Sequence, residues 1–493
     1  MIVDLLISIT HSSIFRIIIA LALSTFLYEA IRGPRLYPGF PLVGVDTKDG
    51  YRRGLTKARE EWAAQGKQII EQGMKQANIR ITHFYFGPKL VLPNRFVDEI
   101  RNHPDFHFGK AISADFFGSY PGFQPFTVDS SSQVLVDTVK GRLTQSLSEY
   151  TTPGSTSKSI LIMFAHDLDL IVEELADETN KAVDKLFGNP EKYALDAFIA
   201  ARALRQWPFA LRPIIHWFLP ECRKLRATLG EARRILKSVI EKRRHENRER
   251  RDAGQGPSKV ADTIGWMDEA AKGKAYDVAV AQLGLSLAAI HTTTEMVSGL
   301  ISDLCANPEY FEPLREEIAS AVADKGWSKK ALQDLKLMDS AMKESQRHHF
   351  GDIAAMHRMT INPVTLSDGT RIPEGTLTMV GINQTDNADI FPESHKYKAK
   401  RFLNMRQKPG QEHRWQFVST SPEHLAFGHG KHACPGRFFA ANEIKVVLIF
   451  LLMNYDWKFT AEGCKVDKSF GQETDTDPTA KAMIRRRKLG VTM

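Results

Sequence analysis

Along most of the chain, apolar positions return every three to four residues, the spacing of an amphipathic helix. On that periodicity helices are expected over residues 51–76, 131–149, 165–187, 221–251, 276–306, 308–324, 330–347 and 437–453. Shorter runs rich in β-branched and aromatic residues cluster in two places. Residues 79–86 and 89–92 suggest a hairpin around Gly87-Pro88. Residues 354–360, 364–366 and 376–380 suggest a second small sheet, with turns at Asp368-Gly369 and Pro373-Glu374-Gly375. Helices and strands are segregated rather than alternating. The pattern argues for a mainly α body with small segregated β-sheets, an α+β class, and against a doubly wound parallel sheet. There is no internal repeat and no long low-complexity tract.

The N-terminus departs from this pattern. Residues 2–28 are almost wholly apolar, interrupted by Asp4, His11 and Arg16. That length is enough to cross a bilayer of roughly 30 Å. Arg16 is costly inside a spanning helix unless it snorkels. It also splits the apolar run that a signal peptide needs, and no small-residue cleavage site follows. A retained membrane anchor over residues 1–30 is therefore expected. Arg32 and Arg35 come next, which puts the body on the cytosolic side by the positive-inside rule. The stretch GPRLYPGFP at 33–41 carries three prolines, so residues 31–45 read as a stiff hinge. Residues 46–493 then form one large body.

Charge and cysteine content narrow the function. With 66 Lys and Arg against 58 Asp and Glu in 493 residues, the net charge is +8. Part of the surplus lies in local runs, KRRHENRERR at 242–251 and RRRK at 485–488. The first reads as a solvated helix end. Neither run is accompanied by a zinc-finger or base-stacking motif, which argues against nucleic acid as a partner. The four cysteines, Cys222, Cys305, Cys434 and Cys464, form no CxxC pair and no disulfide framework. They suit a reducing compartment, and three of them read as small hydrophobes or idle thiols.

Cys434 differs from the other three. It lies in LAFGHGKHACPGRFF, residues 425–439. Gly428, Gly430 and Ala433 fit the dinucleotide pattern G-x-G-x-x-A, but the preceding SPEHLAF is no strand and no βαβ unit follows. Phe427, Gly428, Gly430, Cys434 and Gly436 instead fit F-G-x-G-x-x-x-C-x-G. Cys434 precedes a helix expected to begin near Gly436, and N–H groups at a helix start stabilise a thiolate. Glycines let the backbone approach a flat ligand closely. A thiolate held axially on haem iron pushes electron density that favours O–O cleavage.

In this loop the chain resembles the cytochrome P-450 family of haem-thiolate monooxygenases, and the resemblance extends over nearly its whole length. Three further motifs occur in the family's order. Glu344-Ser-Gln-Arg347 matches E-x-x-R, which puts both charges on one helix face. YKAKRF supplies Arg401 in a run similar to F-x-P-x-R-F, with Tyr and Ala at the first and third positions. The resemblance implies that Glu344, Arg347 and Arg401 form a buried charge cluster behind the haem. Ala288-Ala-Ile-His-Thr-Thr293 resembles A/G-G-x-D/E-T-T, with Thr292 as the alcohol, Ala289 for the usual glycine and His291 for the usual acid. Thr292 and His291 are the implied catalytic pair for proton delivery, since a histidine relays protons near neutral pH. The run from Asp368 to Thr376 resembles G-x-x-I-P-x-G-T. By position, Arg358 and His432 are the implied partners of the haem propionates. The family's W-x-x-x-R is missing, and Lys140 or Arg142 stands in for it.

The resemblance implies a cytochrome P-450 fold whose catalytic domain spans 46–493, haem b with Cys434 as axial ligand, and insertion of one atom of O2 into substrate. Electrons would come from a separate NADPH-cytochrome P-450 reductase, with a cytochrome b-type protein as a second donor. Lys431, Arg437 and Lys445 flank the thiolate loop and suit an acidic docking face. Residues 204–226 fall where family members carry the roof over the site. Their Trp207, Phe209, Trp217 and Phe218 enter either the membrane or the core. The run resembles fungal microsomal members of secondary metabolism. That implies an apolar polycyclic substrate of the terpenoid, indole terpenoid or alkaloid class and an endoplasmic reticulum membrane location. The rival reading is a reductase-independent haem-thiolate isomerase or dehydratase, and a third is a non-catalytic haem binder. NADPH-dependent turnover separates the first from both.

Overall fold

In the computed structural model the described residues run through 88–143, 190–255 and 263–460, with single breaks at 327, 350 and 353. Shorter described pieces include 42–43, parts of 61–73, 80–83, 468–470, 473–475 and 481–487. The longer helices are α1 (Phe108–Asp115), α2 (Ser130–Thr138), α3 (Pro190–Arg205), α4 (Pro220–Asp252), α5 (Thr263–Ala271), α6 (Val278–Ala306), α7 (Phe311–Lys325), α8 (Lys336–His348) and α9 (Arg437–Asn454).

The centre of the body is α6. Its cap, Asp277, accepts the Ala279 and Val280 N–H groups at 3.0 and 3.1 Å, which fixes where the helix starts. Its first half buries Val280 and Leu283 in a cluster with Tyr193, Ala197 and Leu204 of α3 and Leu225 and Leu229 of α4. Its second half buries Leu300 and Leu304 with Leu314 and Ile318 of α7, Met338 and Met342 of α8, and Ile444 and Leu448 of α9. Each such side chain is worth about 1.5–3 kcal/mol once removed from water, so the two clusters hold the helix at both ends. Between them, Ala288, His291, Thr292 and Thr294 are exposed. The helix is thus buried at both ends and exposed along its middle turns.

A six-stranded sheet has the order β1-β2-β3-β8-β5-β4. Its strands are β1 (Leu42–Val43), β2 (Arg80–His83), β3 (Pro88–Leu92), β4 (Phe106–His107), β5 (Ala354–Thr360) and β8 (Leu377–Gly381). The hairpin expected around Gly87-Pro88 is β2 paired antiparallel with β3. The second expected group is β5, β8 and a small pair, β6 (Val364–Thr365) with β7 (Arg371–Ile372). Gly369 and Gly375 have φ of 84° and 72°, so both turns need a residue that tolerates the left-handed region. A further pair, β9 (Tyr455–Phe459) with β10 (Ala482–Arg486), closes the C-terminal part.

Several expectations are modified. The helix expected over 330–347 divides into Lys329–Asp334 and α8, because the Glu317 carboxylate of α7 accepts the Leu337 and Met338 N–H groups at 2.6 and 2.9 Å and starts a new helix there. The helix expected over 131–149 is α2 followed by a π turn, Val139–Leu143; the remainder lies outside the described residues. Three helices were not expected. In α3 the reason is visible: Leu195, Phe198 and Ile199 are apolar but exposed opposite the packed Ala197, Ala201 and Leu204, so no single apolar stripe marks it. The core alternative for Trp207, Phe209, Trp217 and Phe218 is corrected, since they are 38%, 77%, 52% and 66% exposed. They stand on the turns between α3 and α4, with the Arg226 guanidinium 5.0 Å from the centre of the Trp217 ring. The helix expected over 165–187, the hinge over 31–45 apart from residue 40 and β1, and nearly all of the anchor over 1–30 lie outside the described residues. Among the described residues no helix is long and apolar enough to cross a membrane.

Candidate active site

The loop around Cys434 is folded on itself by its own backbone. The Cys434 N–H donates to the Phe427 carbonyl at 2.7 Å, Ala433 N–H to Gly430 at 3.0 Å, and Gly428 N–H to Leu425 at 2.7 Å. Gly428 and Gly430 have φ of 66° and 73°. Gly430 could carry no side chain in any case, because a Cβ there would lie 2.6 Å from Arg101 Cβ and 2.8 Å from the Arg101 carbonyl oxygen. A second brace comes from the neighbouring segment. Asn102 Oδ1 accepts the Lys431 N–H at 2.7 Å. Arg101 Nη1 donates to His429 Nε2 at 2.8 Å, which makes His429 Nδ1 the protonated nitrogen and donor to Thr420 Oγ1 at 2.9 Å.

Cys434 sits just before α9, as expected. The backbone N–H groups of Gly436 and Arg437 point at its sulfur. Burial pushes the thiol pKa up, and those two N–H groups with the Arg437 guanidinium pull it back without cancelling the effect. A bound cation would turn that balance over, since a coordinated thiol is deprotonated outright. Arg437 Nη1 holds the Cys434 carbonyl at 2.8 Å. Phe427 packs edge-on to Phe417 at 5.2 Å and against the cluster shared by α6, α7, α8 and α9.

Beside the loop lies a concentration of positive charge. Arg358 is 1% exposed, and its Nε and Nη2 have no hydrogen-bond partner. Its Nη1 donates to the His357 carbonyl at 2.8 Å, and the guanidinium lies 5.6 Å from the centre of the Phe108 ring. Burial lowers its pKa to about 10. His432 is lowered to about 4, first by burial and then by the charges of Arg358, Lys431, His107 and Lys140. His107 stands 6.2 Å from His432, ring to ring, and its pKa is lowered by burial and by Lys110, Lys431 and Arg358. Thus Arg358, His432 and Lys140 are brought together, and His107 joins them unannounced by any motif. A bulge in β5 between Ala355 and Arg358, with Met356 at φ 52°, makes this possible. The extra residue puts Arg358 opposite Thr378, on the face of Ala355 rather than that of Ala354.

A buried guanidinium with two idle nitrogens is costly unless an anion meets it. A flat macrocycle with two carboxylates and a thiolate-seeking iron fits these residues: cations for the carboxylates, Cys434 for the metal, and space where Gly428 and Gly436 carry no Cβ. Gly436 faces Val139 of the π turn, whose Cγ1 is 3.4 Å from a Cβ built on the glycine. That turn also carries Lys140, which is exposed; the side chain of Arg142 lies outside the described residues.

The charge cluster behind the loop forms in full. Glu344 Oε1 and Oε2 accept from Arg347 at 2.9 and 3.0 Å and from Arg401 Nε at 2.8 and 3.0 Å. The Lys398 N–H adds a bond at 3.1 Å. Further guanidinium protons go from Arg347 to the Thr385 carbonyl and His348 Nε2 and from Arg401 to the Pro392, Glu393 and Lys396 carbonyls. On α6, Thr292 Oγ1 donates to the Ala288 carbonyl at 2.8 Å, and His291 is exposed beside it. Thr292 lies one turn before Met296, which is buried in the cluster that also holds Ala441 of α9. The exposed turns of α6 therefore end one turn before the cluster it shares with α9, the helix that follows Cys434. Lys445 is a correction: it is 5% exposed, paired with Asp339 at 3.2 Å and bonded to the Leu332 carbonyl, so it is no docking residue. Lys431 is exposed.

Comparison with known proteins agrees with this geometry. Residues 120–480 match the family model described as Cytochrome P450. The chain is 39% identical over 475 residues to cytochrome P450 monooxygenase adrA of Penicillium rubens, covering 91% of this chain and 92% of that protein. It is 38% identical to cytochrome P450 monooxygenase 1 of Gibberella fujikuroi (82% and 96% covered) and 36% identical to cytochrome P450 monooxygenase hepE of Aspergillus oryzae (88% and 84%).

Proposed function

This chain belongs to the cytochrome P450 family and is a haem-thiolate monooxygenase, and from that premise we propose that it oxidises an apolar, polycyclic secondary metabolite with electrons from a separate NADPH reductase. Haem iron, when bound, supplies dioxygen activation and oxygen insertion. The chain's own residues do the rest. Cys434 holds the metal, and Arg358, His432 and Lys140 hold the two carboxylates. Thr292 has spent its proton on the Ala288 carbonyl, so on the exposed stretch of α6 its oxygen offers lone pairs and accepts a hydrogen bond at the substrate site. His291 supplies protons from the neighbouring position on the same exposed stretch. The apolar substrate class is supported by the aromatic group on the segment that reaches α6 at Gly284, with Phe116 stacked on Phe126 at 4.4 Å and edge-on to Phe198 at 5.3 Å. A basic docking face is supported by the exposed Lys431 and the overall charge of +8. Attachment to the endoplasmic reticulum membrane by residues 1–30, with the body cytosolic, is supported by the apolar run and by the exposed aromatic turns between α3 and α4.

The observation that carries the reading is the buried Arg358 with unpartnered nitrogens beside the folded Cys434 loop. The test is the reduced, carbon-monoxide-bound difference spectrum. The wild type is expected to give the strongly red-shifted Soret band of thiolate ligation, and Cys434→Ala to lose it. A Cys434→Ala variant with an unchanged band would remove Cys434 as ligand. NADPH-dependent product formation with an added reductase then separates monooxygenation from the isomerase alternative.

A further inference from the structure

The loop that carries Cys434 is held from the sheet side by one short segment, residues 94–102. Phe96, Val97 and Ile100 of that segment pack in one cluster with Leu425, where the loop begins. Polar groups of the same segment then fasten the loop along its length. Asn94 Nδ2 donates to the Pro422 carbonyl at 2.7 Å, Arg101 Nη1 donates to His429 Nε2 at 2.8 Å, and Asn102 Oδ1 accepts the Lys431 N–H at 2.7 Å. The contacts at Pro422 and Lys431 use loop backbone, which every residue type supplies. The contact at His429 uses a loop side chain.

His429 is 8% exposed, and both of its ring nitrogens are engaged. Arg101 has only protons to give, so Nε2 accepts, and Nδ1 donates to Thr420 Oγ1 at 2.9 Å. Burial and the Arg101 charge lower the pKa of the ring, and the opposing Asp98 and Glu423 carboxylates do not restore it, so the ring is neutral at pH 7. Asp98 also steadies Arg101, with Oδ1 3.3 Å from its Nε. The backbone on either side of His429 shapes the cysteine. The Phe427 carbonyl takes the Cys434 N–H, and the Gly430 carbonyl takes the Ala433 N–H. Between those two carbonyls the chain reads Gly428-His429-Gly430, and both glycines are in the left-handed region. Glycine is the residue least able to hold a conformation by itself. The His429 side chain is what ties this turn to the rest of the fold.

We propose that His429 is a positioning residue for the axial thiolate: by joining Arg101 to Thr420 it fixes the turn between the Phe427 and Gly430 carbonyls, and through them it keeps Cys434 on the metal. This rests on Cys434 being the haem ligand. The effect passes through backbone, so it is read in how long thiolate ligation persists.

The experiment uses the full-length haem-loaded protein, reduced under carbon monoxide well below its Tm. The quantity followed is the rate at which the red-shifted thiolate band gives way to a band in the ordinary position. His429→Leu removes both hydrogen bonds, one of them charge-assisted, and should speed that conversion about tenfold. His429→Gln should stay within about twofold of the wild type, because its amide accepts from Arg101 and donates to Thr420. Thr420→Val keeps the ring and removes one acceptor, so it should speed conversion about threefold. A lowered Tm with an unchanged conversion rate in His429→Leu would overturn the proposal, since it marks a purely structural role. So would His429→Gln converting as fast as His429→Leu, which marks packing of the ring. If His429→Leu does not fold, Thr420→Val decides, and a wild-type rate there overturns the proposal. A wild type without the thiolate band would overturn Cys434 as ligand and this role of His429 together, a result distinct from the others.

Discussion

Glu344 is fully buried, and burial alone would push its carboxyl pKa up. The neighbouring His348 ring, the hydrogen bonds from Arg347 and Arg401 and the Arg347 charge outweigh that and hold it at about 2. Replacing it with glutamine leaves two buried guanidinium groups without their shared counter-charge, a loss of about 3–5 kcal/mol. The pH dependence has a definite sign. The folded pKa lies below the ordinary 4.5, so the contribution is fully present above about pH 4.5 and is lost as the pH falls towards 2. The urea midpoint of Glu344→Gln should therefore lie well below that of the wild type at pH 7, and the gap should narrow at pH 3.5. A gap independent of pH would mean that packing, not ionisation, is what the carboxylate contributes. At this scale the sequence was a partial guide. The i, i+3 spacing of Glu344 and Arg347 announces an ion pair, and only the family resemblance joins Arg401 to it. The carbonyls of Thr385, Pro392, Glu393 and Lys396 that complete the cluster leave no trace in residue types, because every residue has a carbonyl. His107 was hidden for a similar reason: it meets His432 only through the fold.

Elements were most legible where one apolar stripe met one partner. The helices over 221–251, 276–306 and 437–453 were expected to within two residues of α4, α6 and α9 at either end. The division at Leu335 was not, because its cause is a carboxylate on another helix. Glu317→Ala should expose that cause. With the Leu337 and Met338 N–H groups unsatisfied, α8 loses about 1–2 kcal/mol, read as a lower Tm and not as a changed spectrum. A Tm equal to that of the wild type would mean that water caps the helix as well as Glu317 does. The function of α6 follows from its open middle turns. With its hydroxyl proton committed to the Ala288 carbonyl, the exposed Thr292 oxygen is left as an acceptor, which a methyl group is not. In Thr292→Ala the ratio of product to NADPH consumed should fall roughly tenfold or more, with peroxide making up the difference. Unchanged coupling would leave proton delivery to His291 and water alone.

At the scale of the whole molecule, the exposed aromatic turns between α3 and α4 were the feature that sequence left open between membrane and core. Trp207, Phe209, Trp217 and Phe218 have the same composition whether buried or bare, and the answer depends on whether another element covers them. All four are exposed, and Ile214 at 58% extends the patch. Arg226 lies 5.0 Å from the centre of the Trp217 ring, and Arg212 holds the Trp207 carbonyl, so cations rim the apolar surface. An apolar patch rimmed by cations suits the boundary of an anionic bilayer. Tryptophan makes this testable in the intact protein, because residues 1–30 contain none and any lipid contact reported by tryptophan belongs to the body. Bound to vesicles of brominated phosphatidylcholine and phosphatidylserine, the full-length protein should show quenched tryptophan emission. The quenching should disappear in the double variant Trp207→Phe, Trp217→Phe. If it persists there, another face of the body meets the lipid. If the wild type is not quenched at all, the aromatic turns between α3 and α4 do not enter lipid.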